Sequence, residues 1–248
     1  MNYNGEKMIP KKIHYFWFGG KEKPKKVIKC LKSWKKYCPD YEIIEWNESN
    51  FDIHIIPYIE QAYEARKFAF VSDVARLIVI YEQGGIYMDT DVELLKPLDD
   101  LLINKAYMSF ENNENVNTGQ GFGAISGLSF FKEHIDLYKS VNFQNSDGTY
   151  NMKACTKYTT ALLVEKGLKL NGQKQSIDYV TIYPEKYFNP LDSSTGKLNT
   201  TKDTYSIHWY ASSWMDRPQS LLYLGRFIRR IFGVNSLKWI KRLLNRGG

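Results

Sequence analysis

Residues 72–91 constrain this chain more than any other stretch: Ser-Asp-Val-Ala-Arg-Leu-Ile-Val-Ile-Tyr-Glu-Gln-Gly-Gly-Ile-Tyr-Met-Asp-Thr-Asp. The first half continues a helical stripe made of Phe70, Val74, Leu77, Ile78 and Tyr81. Gly84-Gly85 is a helix stop, because glycine accepts the left-handed conformation of a helix C-terminus. A short strand is then predicted over residues 86–94, with Asp89 and Asp91 one residue apart. Side chains alternate along a strand, so both carboxylates are expected on one face. Two carboxylates at the end of an apolar strand make a hard-oxygen site for Mg²⁺ or Mn²⁺ and, through the ion, for a diphosphate. Strand ends are also where open α/β sheets bind ligands. Asp73 and Arg76 sit three apart on the preceding helix and are expected at the boundary between core and surface.

The flanking segments read as an α/β fold. Residues 13–18 are short, almost wholly apolar and closed by Gly19-Gly20, which predicts a strand buried on both faces of a parallel sheet. Residues 24–37 place Val27, Ile28, Leu31 and Trp34 at helical spacing with lysines opposite, and residues 41–46 give a second strand. Strand, helix, strand opens a βαβ unit. Residues 59–82 are expected to be mostly helical. Further strands are predicted at 107–110, 122–125, 179–183 and 205–209, helices at 129–141 and 156–166, and polar loops at 111–121, 142–152 and 189–203. Gly119, Gly121 and Gly123 alternate in one such stretch but are no dinucleotide fingerprint, since no helix starts after them.

The 248 residues suit one large domain, divided as residues 1–218 and an appendage of 219–248. With 43% hydrophobic residues the chain can bury a core. Three cysteines without a CxxC pair argue against a disulfide framework or a cysteine zinc site. The N-terminus lacks the apolar core of a signal peptide, and no run of 18 apolar residues occurs, which points to the cytoplasm. The net charge of +7 is local: residues 221–248 hold seven basic residues and no acidic one, which leaves residues 1–220 neutral. The body therefore shows no charge signature for nucleic acid, which is not an expected partner.

Three motifs in order carry a resemblance: Ile9-Pro-Lys-x-Ile-His-x-x-Trp17, then Ser72-Asp-x-x-Arg76, then Gly84-Gly-x-Tyr-x-Asp-x-Asp91. Together they resemble the DXD-containing sugar-transferase region of glycosyltransferase family 32 and of capsular-polysaccharide glycosyltransferases, with a related pattern in the large clostridial glucosylating toxins. The resemblance implies a single α/β domain of the Rossmann-like GT-A type. It also implies a nucleotide-sugar donor (UDP-hexose preferred over GDP-mannose), Mn²⁺ or Mg²⁺, and retention at the anomeric carbon. Carried onto this chain, it makes Trp17, with Phe16 beside it, the platform for the base. Asp73 and Arg76 become donor-sugar contacts, and Asp89 faces ribose and metal. Asp91 becomes the direct metal ligand. His14 alternates away from Trp17 and is read as structural, and Tyr87 as packing. Asn117 and Gly119 are expected near the donor sugar. The segment from His208 to Trp214 is expected to close the site. There His208 would lie on the metal or diphosphate, and Ser212, Ser213 and Trp214 over the phosphates.

In the tail, Leu221, Leu224, Ile228 and Ile231 follow helical spacing, and a second run starts at Leu237 with Trp239 and interleaved Lys and Arg. Such a basic amphipathic segment suits an anionic membrane surface. The alternative is a helix packed on the body by its apolar face. The function expected is hexosyl transfer to a glycan or lipid-linked oligosaccharide in bacterial surface polysaccharide synthesis, at the inner face of the cell membrane. The competing readings are a toxin-like transferase acting on protein and a non-catalytic nucleotide-sugar-binding membrane adaptor.

Overall fold

The computed structural model describes residues 7–211, 219–233 and 236. Strand β1 (Lys12–Phe16) lies between β2 (Glu42–Trp46) and β3 (Gly85–Tyr87), parallel to both. Its residues 13–16 are all buried, as an apolar run in a covered parallel sheet requires. Helix α1 (Lys25–Tyr37) joins β1 to β2 and buries Val27, Cys30 and Trp34. Ile28, expected in that stripe, faces solvent instead: the buried positions run 27, 30, 34, so Cys30 takes the place Ile28 was assigned.

Beyond β3 the sheet continues through β7 (Phe122–Ala124), β5 (Ala106–Asn112), β9 (Val180–Tyr183) and β8 (Gln175–Ile177), giving the order β2-β1-β3-β7-β5-β9-β8. Strand β6 (Asn115–Asn117) adds to β5 as a hairpin. The β5–β9 pair is parallel, and the remaining pairs of this half are antiparallel. Residues 111–121 are thus partly sheet: 111–112 and 115–117 are strand, and the rest is turn and loop. Asn115, Asn117, Thr118 and Gln120 are buried; Gln120 Nε2 donates to the Phe110 carbonyl (3.0 Å), and the Val116 N–H donates to Thr160 Oγ1 (2.9 Å). Burial of polar groups is tolerated where they pair, and such a strand has no apolar alternation to read.

The helix expected over 59–82 is two helices, α2 (Pro57–Glu64) and α3 (Phe68–Gln83). Between them Arg66 adopts φ 55°, and the Lys67 N–H reaches back to the Ala62 carbonyl (2.9 Å). Helix α3 packs against β1, α2 and α4 (Ser129–Lys139). It is buried nearly all round, so Arg76 is 1% exposed rather than at a core boundary. The Gly84 stop is as expected: its N–H bonds the Ile80 carbonyl (2.9 Å) at φ 67°.

The predicted strand 86–94 is split. Strand β3 ends at Tyr87, and β4 (Val92–Leu94) pairs antiparallel with β10 (Ser206–His208) in a separate small sheet. Asp89 and Asp91 lie in the connection, closed as a turn by Val92 N–H to Asp89 O (3.0 Å). Helix α5 (Cys155–Glu165) packs on β6 and α4. Helix α6 (Gln219–Phe232) sits on the loop at 192–196, where the guanidinium Nε of Arg226 donates to Ser193 O (3.1 Å) and that of Arg229 to Ser194 O (2.8 Å). Arg226 and Arg229 thus face the protein, while Leu224, Phe227, Arg230, Ile231 and Phe232 are exposed. Residues 237–244 lie outside the described residues. No helix among the described residues is long and apolar enough to cross a membrane.

Candidate active site

The central feature is a cleft of about 1150 Å³ at the ends of β1 and β3. Its floor and walls are brought together from α3, the 88–91 turn, the start of α5, and the segment after β10. At the floor is an ion network. Arg76 pairs with Asp73 through Nη2 and with Asp89 through Nη1 (3.3 Å). Burial opposes a charged Arg76, but the surrounding carboxylates outweigh it and hold the guanidinium well above its usual range. Burial pushes the Asp73 carboxyl up, against the pull of Arg76. Arg76 keeps one donor, Nε, buried and without a partner.

Asp89 is held from three sides. The Tyr87 hydroxyl donates to Oδ1 (2.7 Å), Arg76 donates to the same oxygen, and the Asp89 N–H bonds Gly119 O (2.9 Å). Tyr87 is therefore more than packing: its ring lies 5.3 Å from the Arg76 guanidinium and its hydroxyl fixes the acid. Gly119 lies directly against Asp89. A side chain there would overlap Asp89 Oδ2, so glycine is required to let Asp89 sit where it does. Asn117 lines the cleft and positions this loop, accepting from the Gly119 N–H (2.6 Å).

Asp91 faces Asp89 from the other end of the turn. His208 Nε2 lies 3.3 Å from Asp91 Oδ1, and the Ala211 N–H donates to Oδ2 (2.7 Å). Tyr210, at φ 49°, bends the chain so that Ala211 reaches back. Burial works against the Asp91 carboxylate, but His208 and Ala211 outweigh it and lower its pKa. Burial likewise opposes a charged His208, but Asp91 outweighs it and raises the imidazole. One ligand atom from each of Asp89, Asp91 and His208 lies within 4.8 Å of the others. Two carboxylates and an imidazole fit Mn²⁺ or Mg²⁺. His208 Nδ1 is buried without a partner, so the ring has no second anchor among the described residues.

Trp17 borders the cleft half-buried, its Nε1 donating to Lys21 O (2.6 Å) and Lys23 Nζ 5.5 Å from its ring. Phe16 also borders it, but its ring packs among Phe18, Phe51 and Tyr87 and supports the floor from below. His14 is structural as read. It bridges Gly84 O through Nε2 (2.9 Å) and the Trp46 indole N–H through Nδ1 (3.1 Å). Ser212, Ser213 and Trp214 lie outside the described residues. Two cleft residues went unread in the sequence. Glu111, at the end of β5, accepts from Asn117 Nδ2 (3.2 Å) and interacts with the Tyr210 hydroxyl. Cys155 opens α5 with Sγ 3.0 Å from Arg76 Nη2. Neither stands in a motif; only tertiary packing brings them in.

Residues 24–108 match the family described as "Glycosyltransferase sugar-binding region containing DXD motif". Inositol phosphoceramide mannosyltransferase 1 of Schizosaccharomyces pombe is 26% identical over 234 residues, covering 88% of this chain and 69% of that protein. Inositol phosphoceramide mannosyltransferase 2 of the same yeast is 35% identical over 107 residues, 40% of this chain and 30% of the relative. An uncharacterized glycosyltransferase of Acanthamoeba polyphaga mimivirus is 25% identical over 218 residues, 84% of each chain. Against several of these curated relatives the chain spans only about a third of their length. Among solved structures, the PaToxG glycosyltransferase shares the fold at a TM-score of 0.53 with 22% identity, over 65% of this chain and 71% of that one. The α/β architecture is of the GT-A type. Asp89-Thr90-Asp91 supplies an acidic Asp-x-Asp motif inside the stretch of this chain that is similar to the DXD-containing sugar-binding region of glycosyltransferases.

Proposed function

We propose that the chain is a divalent-metal-dependent hexosyltransferase that takes its sugar from a nucleotide-sugar with retention of anomeric configuration. The observation that carries this reading is the convergence of Asp89, Asp91 and His208 beside the Asp73–Arg76 pair in one cleft. Those three residues would hold the ion. When bound, it supplies positive charge to a leaving diphosphate. Arg76 adds fixed positive charge at the same end, pre-organised by burial so that it needs no reorientation during bond breaking. Asp73 is placed to accept from sugar hydroxyls, and Trp17 offers a π-face to the base. The acceptor hydroxyl attacks the sugar carbon from the face the diphosphate leaves, and its proton passes to that phosphate.

UDP-hexose is the first donor to test. The names of the mannosyltransferase relatives favour GDP-mannose as the second. For the acceptor we take a glycan or lipid-linked oligosaccharide of a bacterial surface polysaccharide, made at the inner face of the membrane. Support comes from α6, which turns an apolar face to solvent beside the cleft and is followed by a basic sequence without acids. The test uses Asp91→Asn. The variant is expected to unfold at the wild-type temperature, to lose Mn²⁺ binding by electron paramagnetic resonance, and to lose Mn²⁺-dependent release of sugar from its donor. Wild-type Mn²⁺ affinity in the variant would refute the metal site.

A further inference from the structure

Cys155 lies where the proposed reaction needs a wall. It is half-buried, borders the cleft together with Ala154 and Thr156, and begins a helix with no side-chain cap and no acidic residue in its first turn. Its sulfur touches both members of the ion pair: Arg76 Nη2 donates to Sγ at 3.0 Å, and the thiol hydrogen-bonds to Asp73. Burial and the Asp73 charge push the thiol up, so it stays protonated and acts as a donor, not a nucleophile.

The order of groups along the cleft gives Cys155 its place. The guanidinium of Arg76 spans two stations: Nη1 is on Asp89, at the metal triad, and Nη2 is on Asp73 and Cys155. A donor whose diphosphate lies at the triad extends its sugar past Arg76 to the second station. Arg76 Nε, buried and unpartnered, marks the same side chain as not yet saturated by the protein. We infer that Cys155 forms the wall of the sugar half of the donor site, packing against the transferred sugar and fixing Asp73 through its thiol hydrogen bond. The inference rests on the nucleotide-sugar reading above and adds a residue that discriminates a donor with its sugar from the bare nucleotide diphosphate.

The experiment compares wild type, Cys155→Ser and Cys155→Leu by calorimetric titration with UDP-glucose, GDP-mannose, UDP and GDP, each with MnCl₂. Cys155→Ser keeps a donor and is expected to bind like wild type. In Cys155→Leu the extra bulk is expected to weaken the nucleotide-sugar about tenfold or more while the matching diphosphate changes less than about threefold. A second variant keeps the test open if leucine does not fold: Cys155→Ala, which empties the wall instead of filling it, is expected to weaken the nucleotide-sugar more than the matching diphosphate. Equal effects on both in the alanine variant, or a leucine variant that binds the nucleotide-sugar normally, overturn the inference. If wild type binds no nucleotide-sugar at all, the donor reading falls and takes this inference with it; binding that ignores Cys155 refutes the inference alone.

Discussion

Gly119→Ala is the smallest change expected to dismantle the acidic site. An alanine Cβ would overlap Asp89 Oδ2 and come within 3.1 Å of Asn117 Oδ1. The backbone cannot withdraw easily, because Gly119 O holds the Asp89 N–H (2.9 Å) and the Gly119 N–H is held by Asn117 (2.6 Å). The Asp89 carboxylate must therefore swing, and it leaves both the Tyr87 hydroxyl and Arg76 Nη1. Stripping a buried group of its partner costs about 1–3 kcal/mol, twice here, against about 0.4–1 kcal/mol gained by stiffening the unfolded chain. Asp89 is 31% exposed and water replaces part of what is lost, so the low end applies: about 1–1.5 kcal/mol net. Mn²⁺ affinity should fall by at least about 100-fold, since outer-shell disturbance alone costs about 10–100-fold and here a ligand itself moves. Urea denaturation reads the first figure and Mn²⁺ titration the second. An alanine variant as stable as wild type with unchanged Mn²⁺ affinity would refute the argument that Gly119 exists to seat Asp89.

Three other outcomes follow from the same geometry. Tyr87→Phe removes one hydrogen bond without opening a cavity, so stability should drop by about 1–2 kcal/mol and Mn²⁺ affinity about tenfold; an unchanged affinity returns Tyr87 to packing alone. His14 is kept neutral because burial pulls its pKa down to about 4, against the hydrogen bond to Gly84 O. The unfolded chain takes up this proton near pH 6.5 and the folded chain only near 4. Stability from this group is therefore full above 6.5 and lost as pH falls through that window, about 1.4 kcal/mol per unit and about 3 kcal/mol in all. Urea titrations from pH 7 to 4 should show a shallower loss in His14→Gln than in wild type by about one proton. Replacing Ile231 and Phe232 of α6 by serine should abolish sedimentation with phosphatidylglycerol vesicles and spare donor binding, whereas undiminished sedimentation removes the membrane role from this helix.

What was legible in the sequence is what local chemistry decides. β1, α1, β2 and the α3–Gly84 junction each end on their own turn residues, and their apolar periods need no distant partner to be read. Where a distant partner decides, the reading fails in a particular way. The 86–94 segment is apolar enough for one strand, yet β10, more than a hundred residues later, pairs with its second half and bends Asp89 and Asp91 into a turn. The alternation argument thus reached the right pair of carboxylates for a reason the fold does not use. Arg76 was placed at a boundary because it sits at the edge of the helix's apolar stripe; the acids at 73 and 89 make full burial tolerable, and the second of these lies outside the helix. The β6 half of the hairpin was hidden because two of its three residues, Asn115 and Asn117, are buried amides, and a distant hydroxyl, that of Thr160, takes the Val116 N–H.

The same accounting of charge separates the two ends of the acidic turn. Among the ion pairs of the described residues, Asp73 and Asp89 share Arg76 and His208 pairs with Asp91, while further lysines and arginines also line the cleft. Buried charge of one sign is costly unless compensated. Burial already strains the network from within, pushing Asp73 up while Arg76 holds it down. A divalent cation at Asp89, Asp91 and His208, as proposed above, would add positive charge beside those carboxylates, where a diphosphate would otherwise meet them. The proposed metal site would give the two halves of the Asp-Thr-Asp turn different work: Asp91, tied to His208 and Ala211, would be its fixed corner, whereas Asp89, shared with Arg76 and Tyr87, would couple the ion to the Asp73–Arg76 pair.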